Sequence, residues 1–173
     1  MTHVVGVDPS LTSTGLVFED YETGELVESR FRSKLPDPER MLEIRDFVLA
    51  ACVDPNPLVV IEGFAYGAKG KAVFQVAGLG WILRAAFVEN RIPYVEATPS
   101  TLKKFATGKG SGGKDLTISA VSVRTGRIFE SNDVVDALVC FSIGRELASL
   151  PHPLGALPKS HLAALDAVEL PEV

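Results

Sequence analysis

The feature that most constrains this chain is HVVGVDPSLTSTGLVFED, residues 3–20, because it sets one carboxylate at the end of an otherwise apolar run. Val4, Val5 and Val7 are β-branched, and such side chains fit the pleated surface of a buried strand. Asp8 closes the run, Pro9 and Ser10 break the ladder, and residues 15–19 resume an extended pattern. The pair reads as a hairpin with the acid at its turn. A carboxylate on a core strand is costly to desolvate unless it binds a cation or a donor. Two readings of Asp8 stay open on this stretch: a turn cap accepting from the amides of Ser10 to Thr12, or a ligand.

Length and composition narrow the rest. A chain of 173 residues suits one domain with a sizeable core, and 46% apolar against 23% charged residues predicts folding rather than disorder. The N-terminus lacks a basic region followed by an apolar run, and Gln75 and Arg84 interrupt the best candidate for a membrane span. A cytoplasmic protein without a membrane is the expectation. Cys52 and Cys140 fall in apolar helical patterns without metal or redox spacing and read as reduced core residues. The net charge of −5 argues against a chain coated in basic residues, yet it is compatible with a basic binding face beside an acidic metal site.

Further along, residues 25–31 read as a third strand, with Gly24 supplying the turn. Asp37-Pro38-Glu39 opens an amphipathic helix through Ala51, and the prolines of residues 54–57 end it. Residues 58–62, LVVIE, form a second apolar strand ending in an acid, Glu62. Residues 71–89 form a long helix, apolar around most of its circumference, suited to packing on a sheet, a second subunit, or both. Its Gly78 and Gly80 predict close approach of another backbone. Residues 92–96 read as a strand, Thr98-Pro99 caps a short helix bearing Lys103 and Lys104, and residues 108–114, GKGSGGK, form a flexible basic loop. A helix over 115–125 closes at Gly126, and Ser131-Asn132 caps a final helix, DVVDALVCFSIGREL. Residues 1–150 form the domain, and residues 151–173, with four of the eleven prolines, read as a loosely attached C-terminal tail.

Asp133 and Asp136 stand at i, i+3 and share one face of that final helix. Acids in a first turn also favour the helix macrodipole, which would explain the pair without chemistry. Apolar neighbours Val134, Val135, Ala137, Leu138 and Val139 turn at least one of the acids inward. Asp8, Glu62, Asp133 and Asp136 therefore make four carboxylates on three elements. An oxygen-rich set suits Mg²⁺ or Mn²⁺, and with three His in the chain no His/Cys cluster points to zinc. Two such ions about 4 Å apart activate a water and stabilise the leaving oxygen in phosphodiester hydrolysis.

In order, VVGVDPSLTSTG, VVIEGF, KKFATGKGSGGK and NDVVDAL resemble the RuvC family of Holliday-junction resolving endonucleases, across residues 3–148. The resemblance implies an α/β, RNase H-like fold: a five-stranded mixed sheet flanked by helices. It implies Asp8, Glu62, Asp133 and Asp136 as ligands for two Mg²⁺ or Mn²⁺ ions, and a homodimer that nicks branched DNA symmetrically. It also implies Lys114 beside the active site and Lys103 or Lys104 on DNA. The brevity of the chain suits a phage member, working in a bacterial or phage-infected host cytoplasm. Two departures stand out. The family's aromatic three residues after the glutamate is Ala65 here, flanked by Phe64 and Tyr66, either of which can stack on an unpaired base. The arginine between the glycines of the long helix is Leu79.

Lys103, Lys104, Lys109, Lys114, Arg124 and Arg127 face one nearby acid, Asp115, the electrostatic footprint of a phosphate-binding surface or else a solvated basic loop. Residues 108–114 almost spell a nucleotide-binding P-loop, but Asp115 stands where the hydroxyl for Mg²⁺ belongs, so no nucleotide cofactor is expected. Actin-like sugar kinases share an acid-bearing strand and a Thr/Gly turn, but they need a second phosphate motif and a longer chain. Nucleases for flaps, single strands or RNA share the same expected fold and are the alternative substrate classes.

Overall fold

A computed structural model describes residues 2–53, 56–64, 70–129 and 131–170, less the side chains of Lys71 and Lys114. Five strands form one mixed sheet: β1 (His3–Asp8), β2 (Thr14–Glu19), β3 (Leu26–Phe31), β4 (Pro57–Glu62) and β5 (Tyr94–Ala97), in the order β3-β2-β1-β4-β5. β1 runs antiparallel to β2 and parallel to β4, and β4 runs parallel to β5. The α/β five-stranded sheet inferred from the sequence is the one observed.

Alternation along the strands sorts side chains to two faces. Val5, Val7, Val59 and Ile61 point to the side covered by α1 (Glu39–Ala50) and α2 (Lys71–Glu89), where they meet Ile44, Leu79, Leu83 and Phe87. Val4, Val17, Val60 and Val95 point the other way, to α3 (Pro99–Thr107), α4 (Lys114–Thr125) and α5 (Asn132–Leu147). α5 is the central support of that face, with Val135, Leu138, Phe141 and Ile143 wholly buried. It lies unusually close to β1. A Cβ on Gly6 would fall 2.2 Å from the Ala137 carbonyl oxygen and 2.4 Å from the Phe141 nitrogen, and one on Gly144 would strike Val4. Small residues on both sides of the contact thus set how far down α5 sits on the sheet.

Three expectations change. The segment after Pro151 is docked rather than loose: Leu154 and Ala164 are each 2% exposed within the core, and α6 (Lys159–Leu162) packs on α3. His161 Nδ1 donates to the Phe105 carbonyl at 2.8 Å, and Lys104 Nζ donates to the Ala163 carbonyl at 2.8 Å. Gly80 makes room for the ring of Phe64, whose Cε1 would lie 2.6 Å from an added Cβ, and Gly78 faces the Met41 side chain, so among the described residues of this chain both glycines meet side chains and not another element's backbone.

Residues 72–89 do reach the length and mean hydropathy, 1.4, of a membrane span, contrary to the sequence reading. Their place under the sheet explains that hydropathy, because Leu79, Leu83, Ala86 and Phe87 are core residues. The same helix keeps Phe74, Trp81 and Val88 exposed at heptad spacing on its outer side.

Candidate active site

The strand pattern decides where the acids go. Val4, Gly6 and Asp8 share one face of β1, and Leu58, Val60 and Glu62 share the same face of β4, because β1 and β4 are parallel with Val4 beside Leu58 and Gly6 beside Val60. Asp8 and Glu62 therefore finish neighbouring strands at the same end and on the α5 side. The register also pairs Asp8 with Gly15 on β2, and Gly15 packs on the backbone of Asp133, so the first turn of α5 closes over the ends of both strands.

Asp8 is 8% exposed. Its carboxyl is pushed well above the usual carboxylate range, first by burial, then by a hydrogen bond with Glu62 and the charges of Glu62, Asp136 and Asp133. Asp8 thus feels each of the other three predicted acids, at one end of the sheet. Beneath them the Cys140 thiol is wholly buried and raised by that burial, with Glu62, Asp8 and Asp136 adding to the effect. It is a core thiol, as expected, and it forms a dry floor. Among the described residues no three His, Cys, Asp or Glu side chains close into a preformed metal cage, so the acids are gathered but not clamped.

Ser131 begins α5 without donating or accepting at the helix backbone through its side chain. Its hydroxyl donates instead to Asp133 Oδ2 at 3.1 Å, which orients one of the acids. The turn cap considered for Asp8 is supplied by other residues: Ser10 Oγ accepts from the amides of Thr12 and Ser13, and Thr14 Oγ1 accepts from the amide of Ser10. Asp8 is left for the acid cluster. An all-oxygen donor set on rigid elements, holding an uncomfortable buried charge, fits a hard divalent cation.

The basic surface is partly rearranged relative to the sequence reading. Lys109 is exposed and Lys103 half-buried near the start of the loop, whereas Lys104 is tied to Ala163. Arg127 forms a two-pronged ion pair with Glu28, 2.6 Å at each prong, and so has its own acid outside the local stretch. The loop is held at its first turn: Gly108 caps α3 with φ 78°, against the His161 ring, and Thr107 accepts from the Lys109 amide. Residues 108–113 join two helices, unlike a P-loop, which follows a strand. Lys114 opens α4, its side chain outside the described set, and Tyr66 also lies outside the described residues.

Phe64 is placed, two residues beyond Glu62. Its ring lies 5.5 Å from Trp81 and 4.2 Å from the Arg84 guanidinium. Glu62, Phe64, Trp81 and Arg84 line a cavity of about 510 Å³ that opens beside the acids. In the sequence Arg84 stands as an interruption in an apolar helix, and a lone arginine there signals a carboxylate partner.

No family model matches the chain. A curated relative, the crossover junction endodeoxyribonuclease RuvC of Pseudarthrobacter chlorophenolicus, is 30% identical over 127 residues, covering 69% of this chain and 66% of its own length. The chain thus matches just under two thirds of that relative. The T. thermophilus RuvC solved in complex with Holliday junction substrate superimposes with a TM-score of 0.65 at 17% identity, over 86% of this chain and 95% of that one. A second Thermus thermophilus RuvC structure gives 0.64 at 19% identity with the same coverage. At such identities the likeness is one of fold, and it agrees with the sheet order and flanking helices described above.

Proposed function

We propose that this chain, which belongs to the RuvC-like family of Holliday-junction resolvases, is a divalent-metal-dependent endonuclease that hydrolyses phosphodiester bonds in branched DNA. The observation that carries the reading is the gathering of Glu62, Asp136 and Asp133 around the buried Asp8 at one end of the sheet. These four are the ligands for Mg²⁺ or Mn²⁺, two ions in the full complement. When bound, such ions polarise the phosphate, bring a water toward hydroxide and stabilise the leaving oxygen.

The chain's own residues do the rest. β1 and β4 hold Asp8 and Glu62 on rigid backbone, and Ser131 orients Asp133 through its hydroxyl. The apolar floor keeps water from relieving the charge on Asp8, which makes ionised Asp8 a strong cation ligand. Lys103, Lys109 and Lys114 bind DNA phosphates, and Phe64 and Tyr66 meet bases that leave the stack. The exposed stripe of Phe74, Trp81 and Val88 on α2 pairs with a second copy, so that two sites cut symmetrically. The work is done in the cytoplasm, where the DNA is.

Cleavage of labelled four-way junction, flap, linear duplex, single strand and RNA in Mg²⁺ or Mn²⁺, with Asp8→Asn as control, tests the reading. Paired symmetric nicks in the junction support it. Cutting only of flaps, single strands or RNA would assign the metal site to another nuclease of this fold. Failure to cut any nucleic acid would overturn it.

A further inference from the structure

Arg84 sits on α2, on the opposite face of the sheet from the acids, and is 2% exposed. Nε and Nη2 donate to the two oxygens of Glu96 at 2.7 and 2.8 Å, and Nη1 donates to the Gly80 carbonyl at 2.9 Å. Glu96 stands beside Ile61 in the β4–β5 register, one residue short of Glu62. The flat side of the guanidinium carries the ring of Phe64, which rests in the notch at Gly80 and also meets the Trp81 ring.

Glu62 is the last residue of β4, and Gly63 follows it. A glycine at that point is a loose joint, since it restricts the backbone least. Two interactions tighten it: the Gly63 amide donates to the Ala97 carbonyl at 2.8 Å, and Phe64 is held against Arg84. We infer that Arg84 is a positioning residue for Glu62, acting from the far face of the sheet through the Glu96 ion pair and the Phe64 ring. The inference rests on Glu62 being a metal ligand. Arg84 fits the task because its fork satisfies a carboxylate while its face stays free to stack, which a lysine cannot do.

Titration calorimetry with Mn²⁺ alone, on the intact chain without DNA, tests this. Arg84→Met is expected to weaken Mn²⁺ binding about tenfold, the scale on which groups that orient a ligand act. The same change made on a Glu62→Gln background is expected to weaken it by less than about twofold, because the residue it acts through no longer carries the charge. Phe64→Leu, which leaves the ion pair intact, is expected to reproduce the loss and serves if Arg84→Met fails to fold. A lower melting temperature with unchanged Mn²⁺ affinity in Arg84→Met or Phe64→Leu would reduce Arg84 to a core ion pair and overturn the inference. Equal losses with and without Glu62→Gln would also overturn it. A wild-type chain that binds no Mn²⁺ would instead overturn the metal-site reading, and the inference with it.

Discussion

A Cβ placed on Gly15 would lie 2.0 Å from the carbonyl oxygen of Asp133 and 2.6 Å from its carbonyl carbon. Both atoms belong to backbone, so no rotamer change relieves the clash. Gly15→Ala is expected to lift the first turn of α5 and cost about 3 kcal/mol, at the upper end of what overpacking costs. Urea unfolding measures the loss. Mn²⁺ titration of the folded fraction is expected to show weaker binding, since Asp133 is on that turn and Asp136 directly follows it.

Asp8 gives the metal-free protein an unusual pH dependence. Its carboxyl ionises near 3.8 in the unfolded chain and well above that when folded, because of burial and then Glu62, Asp136 and Asp133. Between the two values the folded state binds the extra proton, so this group's contribution to stability falls as pH rises. Below the window it costs nothing, and above the window the full penalty stands. Melting temperatures in chelator from about pH 4 to about pH 8 are expected to show the difference between Asp8→Asn and wild type widening in favour of the variant. Added Mn²⁺ needs the ionised form, so its stabilisation of wild type grows over the same range. A difference that does not change with pH would contradict the environment described for Asp8.

The lysines should separate. Replacing Lys103 and Lys109 by alanine is expected to lower the slope of log affinity against log salt on junction DNA, by about 0.9 for each phosphate that the variant no longer neutralises. Lys104→Ala is expected to leave that slope nearly unchanged and to speed proteolysis after Pro151, since it removes the bond to Ala163. The reverse pattern would place Lys104 on the DNA.

Trp81 is 64% exposed on the stripe assigned to the second copy. Trp81→Glu is expected to convert a dimer to a monomer in light scattering and to turn paired junction cuts into single nicks. A wild-type chain that is monomeric at working concentration would remove this face from the proposal.

Much of the site can be read from sequence because its signals are local. A β-branched run ending in an acid marks a strand terminus, and Asp133 and Asp136 at i, i+3 lie on one face whatever surrounds them. The two acid-ended strands, carrying Asp8 and Glu62, lie side by side in the sheet. What sequence reading missed is non-local. The tail has a proline-rich composition, and its anchors, Leu154 and Ala164, follow no period, so nothing in the pattern distinguishes docking from looseness. The notch at Gly80 is filled by Phe64, an aromatic from another element, and Lys104 reaches a carbonyl on a segment distant in sequence. Interactions of that kind exist only once the fold has chosen them.

The close seat of α5 on β1 also bears on when the acid cluster can form. Asp8 is in the first strand, while Asp133 and Asp136 are in the last long helix. During synthesis the chain emerges with Asp8 and Glu62 long before α5 exists to complete the set. A nascent or prematurely ended chain therefore carries two acids of the four and cannot assemble the acid cluster. The order of synthesis thus leaves the acid cluster to be completed last, when α5 settles on the first strand.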